Sequence, residues 1–490
     1  MSSISSEDIE KAVLSQMEFE PTRSQRFAIH ALARMIMSEK TSPTLVINGY
    51  AGTGKTTLMR SFCNALSAMG IPMALLAPTG RAAKVLANYT GRSASTIHKA
   101  IYRQETSDMS SPFGLSFNKI RNGVFIVDEA SMVGDDLLLS GPSRPIWGKG
   151  RLLSDLIEYV FSQTGNRLVF IGDPDQLPPV GLEKSPALDV AYLKGLGLTV
   201  GQVWLSDVVR QAQDSLILKN SMSLRQVVES EDELEGRPKI EGQEGADVEH
   251  VTGAELLEKI GDCLSRYGMR ETVIITRSNR RATLYNIAMR SQVLYYEEKL
   301  VKGDMLIVTK NNYLWSEKAG VDFIANGDIA EVVSIYGYSE MCGLHFADVS
   351  IRLIDRDDVD IDCKILLDFL TADVAVPDEV SRLKVEVSTE QINAKIERLA
   401  DEDYAEYTNK AKKAQDIRKD PWINALQVRF AYAMTCHKAQ GGQWSAAFVD
   451  VGYVDETLPQ RQFAQWLYTA VTRAREKLFM VNYEKRPGER

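Results

Sequence analysis

The chain predicts an α/β fold with two parallel sheets in succession, the second interrupted by a small β-rich module. Three observations carry this. Short apolar runs alternate with helical stretches from Thr44 to about Trp204, and such alternation implies parallel strands joined by crossover helices. A second α/β pattern begins near Leu205, breaks off near Leu300 and resumes at Leu426. The stretch between holds short alternating strands, with Asn326-Gly327 as a turn signal.

Taken in order, residues 1–20 read as a short helix. Strands are expected at Thr44–Asn48, Met73–Ala77, Val124–Val127 and Leu168–Ile171, with a helix from Leu58 to Met69. Residues 103–122, rich in Ser, Pro, Gly and Asn, interrupt the first pattern, and so does the basic loop 141–150. In the second pattern Val273–Thr276 reads as a strand and Asn279 to about Val293 as a helix. The inserted strands are Met305–Thr309, Ile329–Ile335, Asp348–Leu353 and Val359–Leu366. Residues 388–416 read as an exposed charged helix with the stripe Ile392, Ile396, Leu399, Tyr404 and Tyr407. Ordinary packing explains that stripe.

Bulk properties bound the function. At 490 residues, 44% hydrophobic and 25% charged, this is an ordinary globular chain with room for several domains. No apolar run reaches membrane-spanning length and the N-terminus is polar, so a cytoplasmic location without membrane attachment is expected. None of the five cysteines forms a Cys-x-x-Cys pair, which points away from a disulfide framework or a structural metal. The net charge of −9 argues weakly against a polyanionic partner, but the charge is uneven. Residues 226–250 hold nine acidic residues against Arg237 and Lys239, as in a solvated insertion or loop.

The residues that carry chemistry begin with Gly49-Tyr-Ala-Gly-Thr-Gly-Lys-Thr56, a phosphate-binding loop in the strand–loop–helix setting it needs. Its glycines let backbone N–H groups turn inward, and the following helix adds its positive end. Gly49, Tyr50, Ala51, Gly52, Thr53, Gly54, Lys55, Thr56 and Thr57 are therefore candidate ATP contacts. Lys55 is placed for the β- and γ-phosphates and the Thr56 hydroxyl for Mg²⁺. The run Val124-Phe-Ile-Val-Asp-Glu-Ala-Ser131 ends an apolar strand in two acids. Asp128 can hold Mg²⁺ through its water shell, and Glu129 can orient and deprotonate an attacking water. In Gly172-Asp-Pro-Asp-Gln-Leu-Pro-Pro-Val180, Gln176 can report on the γ-phosphate, because an amide both donates and accepts.

These three segments, in this order, resemble motifs I, II and III of superfamily 1 helicases. Other segments are similar to further motifs of that family. Pro21–Gln25 resembles the Q motif, with Gln25 implied at the adenine edge. Ala77–Lys84 resembles motif Ia, Ser95–His98 motif Ib and Leu205–Gln211 motif IV. Tyr432–Gly441 resembles motif V and Leu467–Arg475 motif VI. The matches run from Gln25 to Arg475, nearly the whole chain. Thr-Ile-His at 96–98 and Thr-Cys-His-Lys-Ala-Gln-Gly at 435–441, with the inserted barrel, are most similar to the RecD-like branch.

The resemblance implies two RecA-like parallel-sheet domains in tandem, with a small β-hairpin in the first and an SH3-like β-barrel in the second. The expected limits are 1–102 and 123–204 for the first domain, with the hairpin at 103–122. The second domain is expected at 205–298 and 425–490, with barrel and charged helix at 299–424. The resemblance further implies Arg210 and Arg473 as arginine fingers, and Gln440 and Gly441 beside the nucleotide. Single-stranded DNA would meet Pro78, Thr79, Ser95, Thr96, His98, Thr435 and His437. Phe113, or Phe117, would be the wedge at a single-strand/duplex junction. Gly80 departs from relatives that place a bulky His there, which puts a base-wedging role at that position in doubt. The implied activity is an ATP-dependent DNA helicase moving 5′ to 3′. Single-strand-binding protein or replication factors are the implied partners, and replication, recombination and repair are all compatible. An RNA helicase, a protein-displacing translocase and a nucleotide-switched single-strand clamp remain open on the same residues. Glu129 favours turnover over a clamp.

Overall fold

The computed structural model describes residues 5–104, 113–135, 148–207, 215–230, 237–312, 314–318, 324–354, 359–371, 386–387, 390, 420–454 and 458–483. The chain divides into two compact units. The first comprises residues 1–103, 113–277 and 435–490, and the second 104–112 and 278–434.

In chain order the first strands are β1 (Pro43–Gly49), β2 (Met73–Ala77), β3 (Ser95–Thr96), β4 (Tyr102–Gln104), β5 (Phe113–Leu115), β6 (Val124–Val127), β7 (Arg167–Gly172) and β8 (Thr199–Leu205). Six of them form one sheet in the order β3-β2-β6-β7-β1-β8, paired in parallel. Alternate residues enter opposite apolar layers. Leu45, Ile47, Ile126 and Ile171 join one, while Val46, Phe125, Val127 and Phe170 join the other. That is the mark of a sheet covered on both faces, and it explains why these strands read as unbroken apolar runs. Each such Leu, Ile or Phe removed from water contributes about 1.5–3 kcal/mol. The short strands β4 and β5 form a separate two-stranded sheet. At its base Tyr102 donates to the buried Asp155 at 2.8 Å.

The second sheet uses β9 (Val248–Val251), β10 (Thr272–Thr276), β16 (Ala433–Thr435), β17 (Trp444–Asp450) and β18 (Ala474–Val481), in the order β16-β10-β17-β18-β9. Strand β9 corrects the reading of residues 226–250 as a solvated insertion or loop. Gln226–Glu229 complete the helix Leu216–Glu229, and β9 is an edge strand with Val248 and Val251 buried. Glu249 is buried too, bonded to Lys259 at 2.8 Å and Lys477 at 3.2 Å. Its acidity thus serves an internal ion pair.

In the second unit, β11 (Met305–Val308), β12 (Ile329–Met341), β13 (Leu344–Leu353), β14 (Val359–Leu366) and β15 (Leu426–Phe430) close a barrel. Leu426, expected to resume the α/β pattern, instead starts the strand that closes the barrel against β11. The helix Asn279–Ala288 continues into a single π-helical turn, Met289–Val293, and both belong to this second unit. From that turn Arg290 grips the buried Asp304 at 2.9 and 3.0 Å, and Tyr432 donates to the same carboxylate at 2.7 Å. The charged helix expected at 388–416 falls almost wholly outside the described residues, which include only Glu390 of it.

Candidate active site

The phosphate-binding loop leaves the fully buried β1 and enters the helix Lys55–Ala68. Gly52 and Gly54 adopt left-handed backbone, φ 77° and 78°, which glycine reaches without a Cβ penalty. Gly54 is the N-cap and brings no side-chain acceptor. The helix's first N–H groups therefore lack a side-chain cap and can serve an anion. Lys55 lies over the loop, its Nζ donating to the carbonyls of Gly49 at 2.6 Å and Tyr50 at 3.0 Å. A Cβ at Gly49 would stand 2.9 Å from the Lys55 side chain, so that close approach requires glycine. The Thr56 side chain is exposed.

Strand β6 delivers Asp128 and Glu129. Tyr89 donates to one Asp128 oxygen at 2.6 Å and the Glu129 N–H to the other at 2.9 Å. Burial, then the neighbouring Glu129, pushes the Asp128 carboxyl up to about 6; Tyr89 and Lys55 oppose that rise. Glu129 sits in left-handed backbone at φ 50°, as the chain turns into a 3-10 turn. A non-glycine residue there costs about 1–2 kcal/mol, and such strain gathers at functional sites.

Strand β7 delivers Asp173, Asp175 and Gln176. Asp173 is fully buried and its pKa is raised by that burial, with Lys55 and the Tyr468 hydroxyl pulling it back. The Gln176 side-chain oxygen is buried without a hydrogen-bond partner. The backbone here is bonded to the helix Gln460–Val471 and the loop before β17. Gln465 donates to Gln176 O at 2.9 Å, Leu177 N–H to Thr469 at 2.9 Å, and Gln440 to Leu177 O at 2.6 Å. Tyr468 donates to Asp173 and accepts from the Ala51 N–H at 3.2 Å.

Several expected site residues are engaged elsewhere. Gln25 is buried, its oxygen accepting from Thr22 N–H at 3.0 Å and its nitrogen donating to Thr53 O at 3.1 Å. It braces the loop. The buried Arg473 guanidinium bonds Thr469 O at 2.9 Å, Gly442 O at 3.2 Å and Thr472 Oγ1 at 3.1 Å. Gly441 packs at φ 72° against the start of the helix Gly80–Thr90, where a Cβ would lie 2.9 Å from Ala82 and 3.2 Å from Thr79. Arg210 lies outside the described residues.

The expected strand contacts occupy turns. Thr79 and Thr96 are N-caps, bonded to Ala82 N–H and Lys99 N–H, each at 3.2 Å. Pro78 and Ser95 are half-buried beside them, and Thr435 is buried. His437 is exposed. His98 stands 5.8 Å from the Tyr102 ring, and desolvation drives its pKa down to about 4. Phe113 packs partly buried on the core, whereas Phe117 is 71% exposed. Sequence reasoning passed over Tyr89, Asp173, Gln465, Tyr468 and Thr469. Tyr468 and Thr469 lie inside the motif VI segment, yet nothing local says that Tyr468 meets Ala51, 417 positions away.

The site fits a nucleotide with Mg²⁺. Uncapped helix N–H groups and a lysine held only by carbonyls are suited to phosphate oxygens, and the hard oxygens of Thr56 and Asp128 are those that would hold a magnesium ion. Among the described residues no group of three or more His, Cys, Asp or Glu side chains could hold a metal by itself.

A family model for an AAA domain matches residues 23–140, and one for a UvrD-like helicase C-terminal domain matches 430–481. The chain is 31% identical over 212 residues to an ATP-dependent RecD2 DNA helicase of Deinococcus radiodurans, covering 40% of this chain and 25% of that protein. It thus spans about a quarter of that relative's length. It is 24% identical over 494 residues to the ATP-dependent DNA helicase dda of Enterobacteria phage T4, covering 94% of this chain and 99% of that one. Among solved structures, a Pif1 helicase from Bacteroides in complex with ADP-AlF3 and ssDNA aligns at 15% identity and a TM-score of 0.48, over 94% of this chain and 92% of that one.

Proposed function

We propose that this chain, a member of the superfamily 1 helicases, is an ATP-dependent DNA helicase that moves 5′ to 3′ along a single strand. One observation carries the reading. Lys55, Asp128 and Glu129 gather at one loop, and the strand end beside them is bonded to the helix Gln460–Val471 through Gln465, Tyr468 and Thr469. Chemistry at the loop is thereby coupled to the second sheet.

ATP with Mg²⁺ supplies the transferable phosphoryl group and its charge. With nucleotide bound, Lys55 would exchange two backbone carbonyls for phosphate oxygens, and Thr56, with Asp128 through its water shell, would hold the ion. Glu129 takes the proton of the attacking water, and the unpartnered Gln176 amide orients it. Arg210 and Arg473 neutralise charge developing on the phosphoryl group; Arg473 must first leave Thr469 and Gly442. Pro78, Thr79, Ser95, Thr96, His98, Thr435 and His437 form the strand path. With its pKa near 4, His98 is neutral at physiological pH and contributes hydrogen bonding and stacking rather than charge. The 5′ to 3′ direction and the preference for single-strand/duplex junctions rest on likeness to the RecD-like branch.

The test is unwinding of duplexes with a 5′ or a 3′ single-stranded tail, with Glu129→Gln as control. Unwinding from 5′ tails alone, with ATP turnover reduced at least ~100-fold in the variant, is expected. Unwinding from 3′ tails alone overturns the polarity. ATPase activity indifferent to single strands overturns the helicase reading and favours the clamp.

A further inference from the structure

The proposed function uses Tyr468 only as one link to the second sheet, yet its hydroxyl also joins two parts of the candidate nucleotide site. It accepts from the Ala51 N–H at 3.2 Å and donates to Asp173. Both Tyr468 and Asp173 are buried, so neither bond competes with bulk water. Ala51 belongs to the phosphate-binding loop, whose N–H groups are donors suited to phosphate oxygens. Asp173 places a buried carboxylate close enough to Lys55 for the ammonium to act on it. The pair therefore offers the loop what a phosphate offers: an oxygen acceptor for an N–H and a negative charge near the lysine.

We infer that Tyr468 and Asp173 form an internal rival to the nucleotide's phosphates, a latch that ties the helix Gln460–Val471 to the loop and is displaced when nucleotide binds. The inference rests on the reading of this loop as an ATP site. Tyr468 is a positioning residue in this scheme: it makes no contact with reacting atoms and acts through Ala51 and Asp173. Displacement breaks a bond from the second sheet's helix to the first sheet's loop. Nucleotide occupancy is thereby reported to the second sheet even before any arginine engages.

Tyr468→Phe keeps the ring and removes the competing hydroxyl. The measurement is fluorescence titration with methylanthraniloyl-ADP, without DNA, on the full chain. Affinity is expected to tighten about 3- to 10-fold, the equivalent of one hydrogen bond no longer broken on binding. The ratio of DNA-stimulated to basal ATPase should fall as well. A purely packing role predicts equal or weaker affinity, so either result overturns the latch; weaker affinity would mean that the hydroxyl touches the nucleotide itself. Asp173→Asn is the second variant, should Tyr468→Phe fold poorly. It keeps an acceptor for the hydroxyl but removes the charge facing Lys55, and it too must tighten binding. A wild-type chain that binds no nucleotide overturns the functional reading and the latch together. A wild type that binds, with variants no tighter, overturns the latch alone.

Discussion

At the scale of single residues, the candidate nucleotide site holds buried acids, Asp173 and Asp175 among them. Asp175 is pushed up to about 7 by burial first, then by Asp173 and Glu229, and one of its oxygens is buried without a partner. Its pKa in the folded chain lies above the unfolded value near 3.9. Between those values the native state holds a proton that the unfolded chain has released, so stability falls as pH rises through that window. The penalty is absent below about pH 4 and complete above about pH 8. Asp175→Asn should therefore raise the apparent melting temperature by roughly 2 °C or more at pH 8 and leave it unchanged near pH 4, read by thermal scans at both pH values. The two phenylalanines separate in the same way. Phe113→Ala opens a partly buried contact and should cost about 1–3 kcal/mol in denaturant titrations. Phe117→Ala touches no core and should leave stability alone. If Phe117 is the wedge, that change lowers unwinding and spares ATPase stimulated by single strands; unchanged unwinding places the wedge elsewhere.

At the scale of elements, strands buried on both faces were the most legible. Met73–Ala77 and Val124–Val127 appear with the limits their apolar runs imply, and the barrel strand Val359–Leu366 with the limits its apolar–polar alternation implies. Strand β8 was missed because Thr199-Val-Gly-Gln-Val-Trp-Leu205 is a half-exposed edge with little apolar continuity. Strand β9 was hidden by its acids, since Glu249 is buried only by virtue of Lys259 and Lys477, which no local pattern shows. At Leu426 the sequence shows only that the α/β pattern resumes; the strand Leu426–Phe430 belongs to the barrel, a membership that no local pattern shows. Motifs single out Lys55, Asp128 and Glu129 because the chemistry each suggests is local. Partners such as Tyr468 depend on long-range folding and left no local sign. The π-turn shows the same limit. Arg290 and Asp304 form a buried, hydrogen-bonded ion pair across 14 positions, and Tyr432 joins it from 128 positions beyond Asp304. Asp304→Ala leaves the Arg290 charge buried without its counter-ion and should cost about 3–5 kcal/mol in urea unfolding. Replacing Arg290 and Asp304 together by apolar residues should recover most of that loss.

At the scale of the molecule, the two parallel sheets meet through polar and close-packed contacts that leave little tolerance. Arg81 stacks over Trp444 at 3.8 Å and donates to Gln443 O, while Gly441 lies against Ala82 and Thr79. Gly441→Ala adds a Cβ where φ is 72° and 2.9 Å from another carbon. It should cost at least ~1–2 kcal/mol and blunt the stimulation of ATPase by single strands, with nucleotide affinity little changed; unaltered stimulation would show that this seam carries no coupling. The strand that closes the barrel bears on how the chain can be taken apart. An excision of residues 299–424 would follow the sequence-based limits, yet it would leave Leu-Gln-Val-Arg-Phe430 behind. That segment pairs with β11 on one side and β14 on the other, and both strands would be gone. Bare apolar strand edges invite pairing between molecules, so such a truncation should precipitate. One cut after Phe430 should stay dispersed, a difference that light scattering would read directly.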